Sequence, residues 1–238
     1  MGNGTGDIED LLERAYESED AGEVEELVER ALELDPENPE VLLLQADLTE
    51  DDDVRLPILV HAIENARSVL REEGIPEEDF AEDELGTVYL ALLQRAAFTL
   101  FSMEDDERSF EIVQELMRHD LDDQGSIRSL YYRILIEKRD WSLILRETMQ
   151  DGDRQLGWAY ARLAACFMLT EEGEGGTGEA AAMFWDALSM APNVPFYMLG
   201  YFPDPVDDSE EEEEDFHFSL LFSDVRSEEH TSELQSQY

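Results

Sequence analysis

The chain has 238 residues, 42% of them hydrophobic, with 61 acidic side chains against 16 basic ones and a formal net charge of −45. The apolar fraction suffices for one sizeable core or a continuous stack of helices. Phosphate needs cations to meet it, so neither nucleic acid nor an anionic membrane is an expected partner.

The elements follow in chain order from apolar spacings of three and four, the stripe a helix buries. Ile8, Leu11, Leu12 and Ala15 mark a first helix, and Val24, Leu27, Val28 and Ala31 a second after a turn at Ser18–Gly22. This second helix is expected to end at Leu34, where Asp35 and Pro36 break it, and Pro39 opens a third over Glu40–Leu48. Proline lacks an N–H and fixes φ, which suits the first turn of a helix and no later one. An acidic turn at Thr49–Asp53 precedes a long helix over Val54–Glu73, with Leu56, Leu59, Val60, Ile63, Ala66 and Leu70 on one side and Gly74 closing it. A connection over Ile75–Asp83 holds Pro76 and Phe80. Next comes a helix with Leu85, Val88, Tyr89, Leu92, Ala96 and Leu100, then a partner over Asp106–His119 with Phe110, Val113, Leu116 and Met117. Asp122–Gly125 reads as a turn before Ser126–Lys138, and Asp140 as the cap of a helix holding Trp141, Ile144, Leu145 and Met149. A turn at Asp151–Asp153 leads to Leu156–Thr170, a glycine-rich loop to Thr177, and a helix over Glu179–Met190.

Ala31–Pro39 and Ala187–Pro195 share one pattern: small, apolar, x, apolar, x, Pro, x, x, Pro. Such self-similarity is the mark of an array whose units cannot bury their faces alone, and the proline handover is that of tetratricopeptide helix pairs. The expected fold is therefore all-α, a right-handed superhelical solenoid of irregular tetratricopeptide pairs over residues 1–206. Residues 207–215 read as an acidic linker and 216–225 as the start of a truncated element. Arg226–Ser236 can be encoded by a string that resembles a widely used sequencing-adapter oligonucleotide, so 226–238 reads as an artefact of cloning or assembly.

Three further landmarks carry a family resemblance. They are Asp123-Gln-Gly-Ser-Ile-Arg128, Trp158-Ala-Tyr-Ala-Arg162 and Pro192-Asn-Val-Pro-Phe-Tyr-Met-Leu-Gly200. From about Ala31 to Pro205 the chain is similar to bacterial and archaeal tetratricopeptide proteins related to the suppression-of-tumorigenicity-7 family. The third landmark resembles that family's Asn-Pro-His-Val-Pro-x-Tyr-Leu-Leu-Gly, with Ala191 in place of Asn and Asn193 in place of His. The resemblance implies the repeat fold and brings no defined activity with it. Animal members are membrane-associated, and no matching segment is visible here.

No chemistry-bearing motif emerges. Asp51-Asp-Asp53 lacks the glycine and distal glutamate of a calcium loop. His61 and His119 have no partner at zinc-ligand spacing. The Gly173–Gly178 loop has neither a preceding strand nor a following Lys-Ser/Thr. Cys166 lies in an apolar run, as a small core residue does. No run approaches the length of a membrane helix, no secretory signal is visible, and Gly6 breaks the myristoylation pattern. The expectation is a cytoplasmic, non-enzymatic scaffold without cofactor or metal, holding a protein or peptide partner on its concave face. The alternative is an accessory or regulatory domain of a longer protein truncated near residue 225. The acids are spread along patterned helices, which suggests a surface adapted to high salt, where repulsion is screened. One region departs from that acidity. Arg128–Arg162 holds seven basic and five acidic residues. On the helices expected to line the concave face, Arg128, Arg133, Trp158 and Arg162 are the candidates to hold a partner's carboxylate, with Tyr131 or Tyr132 beside them.

Overall fold

The computed structural model describes residues 4–18, 20–119, 124–150, 156–171 and 177–203, together with position 219. Among them are eleven α-helices, one short 3-10 turn at Glu77–Asp79 and no strand. The helices are α1 (Gly4–Glu17), α2 (Ala21–Leu34), α3 (Pro39–Asp47), α4 (Asp52–Glu73), α5 (Glu84–Ser102), α6 (Asp106–Leu116), α7 (Gln124–Glu137), α8 (Trp141–Gln150), α9 (Leu156–Glu171), α10 (Thr177–Met190) and α11 (Val194–Met198). The chain divides into two compact units, Met1–Leu121 and Asp122–Tyr238. The boundary falls inside the span expected to form a single repeat domain.

Side-chain caps set the helix starts. The carboxylate of Asp20 accepts from the backbone N–H of Gly22 and Glu23, and the amide oxygen of Asn38 from those of Glu40 and Val41. Asp51, Asp83 and Asp105 do the same for α4, α5 and α6. Each satisfies amide groups that have no partner within the helix. Gly74 ends α4 at φ 74°, a left-handed turn that glycine adopts without a Cβ penalty, and Ile75 N–H reaches back to Leu70 C=O.

In the first unit consecutive helices pack on one another from α1 to α6, and α3 also packs on α5. The N-terminal core joins Ile8, Leu11, Leu12 and Ala15 of α1 to Leu27, Val28 and Ala31 of α2 and to Val41 and Leu44 of α3. In the second unit α7 packs on α8, α8 on α9 and α9 on α10, and α7 also packs on α9. Both units thus bring the first members of neighbouring helix pairs into contact.

The repeated nine-residue pattern takes equivalent places at both ends of the described chain. Ala31 and Ala187 are fully buried near the ends of α2 and α10, and Pro39 and Pro195 sit in the first turns of α3 and α11. The second handover is anchored by the Tyr160 hydroxyl of α9, which donates to Ala191 C=O at 2.6 Å.

Several expectations need adjustment. On α4 the buried stripe is Leu59, Ala62, Ile63, Ala66 and Leu70, while Val60 is exposed and Leu56 half-buried. Met117, expected in the core, lies beyond the end of α6 and is exposed. Gln124 and Gly125 belong to α7 rather than to a turn, and α11 is a helix the sequence reading did not separate. The α5 helix, with 19 residues, is long and apolar enough by length and composition to cross a membrane, contrary to the reading that no run approaches that length. Half of its apolar window is buried, against the neighbouring α3, α4 and α6. The turn at 151–153, the loop at 172–176, the linker at 207–215 and residues 226–238 lie outside the described residues, as does 216–225 apart from the helical, buried Ser219.

Candidate functional site

The face expected to hold a partner is built by the first helices of successive pairs, α7 and α9 in the second unit. Arg133 of α7 is 4% exposed, and its guanidinium runs along its own helix to the Glu137 carboxylate. Tyr131 and Tyr132 pack edge to face at 5.4 Å, and both are buried, where one was expected on the open surface. The Tyr131 hydroxyl donates to Glu147 Oε2 of α8 at 2.6 Å; burial first, then this carboxylate, pushes the phenol pKa up. The Tyr131–Glu147 hydrogen bond ties α7 to α8, and the Arg133–Glu137 pair lies within α7.

Arg128 and Arg162 are half-buried, each with its Nε shielded from solvent. Arg162 lines a shallow niche with Ala159, Met183 and Asp186, which places it at the junction of α9 and α10. The backbone of Trp158 is in α9, and its side chain lies outside the described residues. Of the five candidates whose side chains are described, Arg128 and Arg162 keep solvent-facing surface. Cys166 is buried, and burial raises its thiol pKa, as a core position does.

In the first unit the first helices are α1, α3 and α5, of which α3 packs on α5. The Tyr16 side chain of α1 is exposed over about half its surface, yet burial of the rest and the nearby Glu40 carboxylate raise its phenol pKa. Burial likewise raises the Glu40 carboxyl, and Glu84 at the start of α5 adds to the effect. Asp47 of α3 and Arg95 of α5, both within reach of Tyr16, are joined by Arg95 Nε donating to Asp47 Oδ1 at 2.7 Å. The sequence signal for this assignment is the alternation of first and second helices, carried back to the N-terminal pairs.

Between α4, α5 and α6 lies a polar knot of a structural kind. Arg67 donates to the Tyr89 hydroxyl through Nε at 3.0 Å and an Nη at 2.6 Å, and that hydroxyl donates to Glu115 Oε1 at 2.6 Å. Phe80 meets Tyr89 edge to face and stacks on His119 at 5.7 Å. His61 contacts the Glu37 carboxylate at 2.9 Å, and Asn65 donates to the same oxygen. Among the described residues no three His, Cys, Asp or Glu side chains converge as metal ligands would.

Comparison of the chain with protein-family models, with curated proteins and with solved structures finds no match.

Proposed function

We propose that the chain is a tetratricopeptide-like scaffold that holds a peptide or protein partner on the face formed by its first helices. The observation that carries this reading is the packing of α3 on α5 and of α7 on α9, first helix on first helix across pairs. A stack of helix hairpins has this neighbour pattern, and its first helices then share one surface along which an extended segment can lie. The buried Ala31 and Ala187, each followed by a proline in the next helix's first turn, support the same repeat. The likeness to relatives of the suppression-of-tumorigenicity-7 family belongs to this reading and rests on the sequence landmarks alone.

In the second unit Arg128 and Arg162 are the candidates to take a partner's carboxylate, because a guanidinium can offer two parallel N–H groups. In the first unit Tyr16 supplies a large amphipathic surface on the equivalent face. A library of carboxylate-terminated peptides, screened on the full chain, tests the reading. Arg128→Glu with Arg162→Glu should weaken the selected peptides at least about tenfold, or about 1.4 kcal/mol, with helicity unchanged. A loss caused by Tyr16→Ala alone would move the site to the first unit. Peptides whose binding neither set of substitutions affects would refute the first-helix face.

A further inference from the structure

Residues 1–121, the first unit, hold 36 acidic and eight basic side chains, yet no acid falls between Leu85 and Met103, nearly the whole of α5. The buried residues of that helix, Tyr89, Leu92, Leu93, Ala96 and Leu100 among them, serve its packing on α3, α4 and α6. Its least covered line follows spacings of four and three, so the side chains share one face. Glu84, Arg95 and Ser102 on that line are exposed, and Val88, Ala91 and Phe98 are half-buried. Between the charged Glu84 and Arg95, then, the open face of α5 is a neutral strip of small and apolar side chains.

Two other first helices bring acids and an aromatic ring to this strip. Arg95 ties the line to the end of α3, with Nε donating to Asp47 Oδ1 at 2.7 Å and an Nη to Oδ2 at 3.4 Å. Tyr16 of α1 stands within the field of Glu40, Asp47 and Arg95, and its side chain is 56% exposed. Glu40, half-buried in the first turn of α3, lies in turn within the field of Glu84. Charge at this junction is unbalanced. Arg95 is already held by both oxygens of Asp47, and among the described residues neither Glu40 nor Glu84 enters an ion pair.

We propose that the open line of α5, with Tyr16 and Glu40 beside it, is a docking surface for a basic, extended segment of a partner protein, in which arginine or lysine adjoins apolar residues. This surface rests on the reading of α1, α3 and α5 as first helices, and it gives the first unit's partner its chemistry. Successive side chains of an extended segment point to opposite sides. One set can lie on Val88 and Ala91 while the other turns to Glu40, Glu84 and the ring of Tyr16. A cation over a tyrosine face and a charge-assisted hydrogen bond to a half-buried carboxylate both strengthen as water is excluded. Nucleic acid, anionic lipid, an acidic peptide and a second copy of this acidic chain are all repelled by the surrounding carboxylates.

Fluorescence anisotropy of the full chain with two labelled, amidated peptides of about eight residues tests this, one alternating arginine with leucine and the other glutamate with leucine. In about 0.15 M KCl the arginine peptide should saturate one site per chain and the glutamate peptide should not bind. Glu40→Gln with Glu84→Gln should weaken the arginine peptide at least about tenfold. Glu25→Gln with Glu29→Gln removes the same charge from the exposed side of α2 and should weaken it less than about twofold. Ala91→Lys, which sets a cation on the neutral strip, should weaken it as the first pair does, with helicity unchanged. Equal losses in the two glutamine pairs would reveal diffuse attraction to an acidic body and overturn the proposal. An arginine peptide that does not saturate, or a glutamate peptide held equally well, overturns it too. If carboxylate-terminated peptides bind through Arg128 and Arg162 while the arginine peptide does not bind, this surface is refuted and the scaffold reading stands. If neither class of peptide binds, both fall.

Discussion

Gly86 stands in the first turn of α5, where alanine is the better helix former by about 1 kcal/mol. The structure reverses that expectation. A Cβ built on Gly86 would lie 2.3 Å from Phe80 O, 2.6 Å from Phe80 Cα and 2.8 Å from Phe80 C, all of them backbone atoms that no rotamer change can move. Relief requires the 3-10 segment to lift off α5. That strains the Asp83 cap, whose carboxylate accepts from Gly86 N–H at 2.8 Å and is worth about 1 kcal/mol. It also draws the buried Phe80 ring from its contacts with Tyr89 and His119. Overpacking of this kind costs about 1–3 kcal/mol, so with the cap lost and the helix gain set against it Gly86→Ala should lose about 1–3 kcal/mol. For a unit of this size that is a fall in Tm of at least about 3 °C, read by circular dichroism, with faster amide exchange confined to the start of α5. Gly22→Ala is the matched control, since its Cβ would meet only Asp20 Oδ1, the tip of a side chain, at 3.3 Å. It should change stability by less than about 0.5 kcal/mol. A Gly86→Ala protein as stable as the wild type would refute the reasoning.

Ser129→Ala should be neutral or stabilising by up to about 1–2 kcal/mol in denaturant titration, because the Ser129 hydroxyl is fully buried with no hydrogen-bond partner. Arg133→Ala should cost about 3 kcal/mol, since it strips the Glu137 carboxylate of its buried partner; a loss under about 1 kcal/mol would make that pair dispensable. Burial of the Tyr89 phenol, then the Glu115 carboxylate, pushes its pKa up from 10.0 to about 12. The folded state thus holds this proton more tightly than the unfolded one, and the contribution, complete below pH 10, is lost as pH climbs towards 12. Tyr89→Phe should flatten that part of the alkaline stability profile. With 61 acids in the chain, Tm and helical signal should rise as KCl approaches molar levels, and a Tm that does not move would remove the case for a salt-adapted surface.

The helix plan was legible because its signals are local. Pro39 at the start of α3, Gly74 at the end of α4 and the capping Asp51 and Asp140 each act within a few residues of themselves. The buried faces were legible where the stripe is unambiguous, as on α1 and α2. They failed on α4 because Val60 and Ala62 lie on either side of the Leu59–Ile63 line, and only the packing of α3 and α5 decides which is covered. Gly86 gave no signal, since its role is set by a Phe80 backbone six residues earlier in the chain. The candidate site was legible as a pair of helices, α7 and α9, and not as a set of side chains. Arg133 and Tyr131 carry the types that recognition uses, yet their partners Glu137 and Glu147 lie within the unit, and spacing alone does not separate a clamp from an internal tie.

The distribution of cations makes the same point from the other direction. Among the 16 basic residues only Lys138 is a lysine, and arginines of the first unit lie between helices that would otherwise oppose acid to acid. Arg14 of α1 meets Glu23 of α2, and Arg95 of α5 meets Asp47 of α3. Arg67 of α4 reaches Glu115 of α6 through the same group that binds Tyr89 of α5. Arg55 donates through Nε to Thr49 C=O at 2.8 Å and to Ala46 C=O at 3.2 Å beyond and within the last turn of α3, while an Nη pairs with Asp52. A guanidinium can serve several acceptors at fixed angles, whereas an ammonium is a compact and strongly hydrated point charge. Exposed pairs of this kind add little stability one by one. Their effect here is to let acidic helices of the first unit lie side by side. Arginines used in this way are ties within the unit, as Arg133 is on α7, and residue type alone does not mark them as partner contacts.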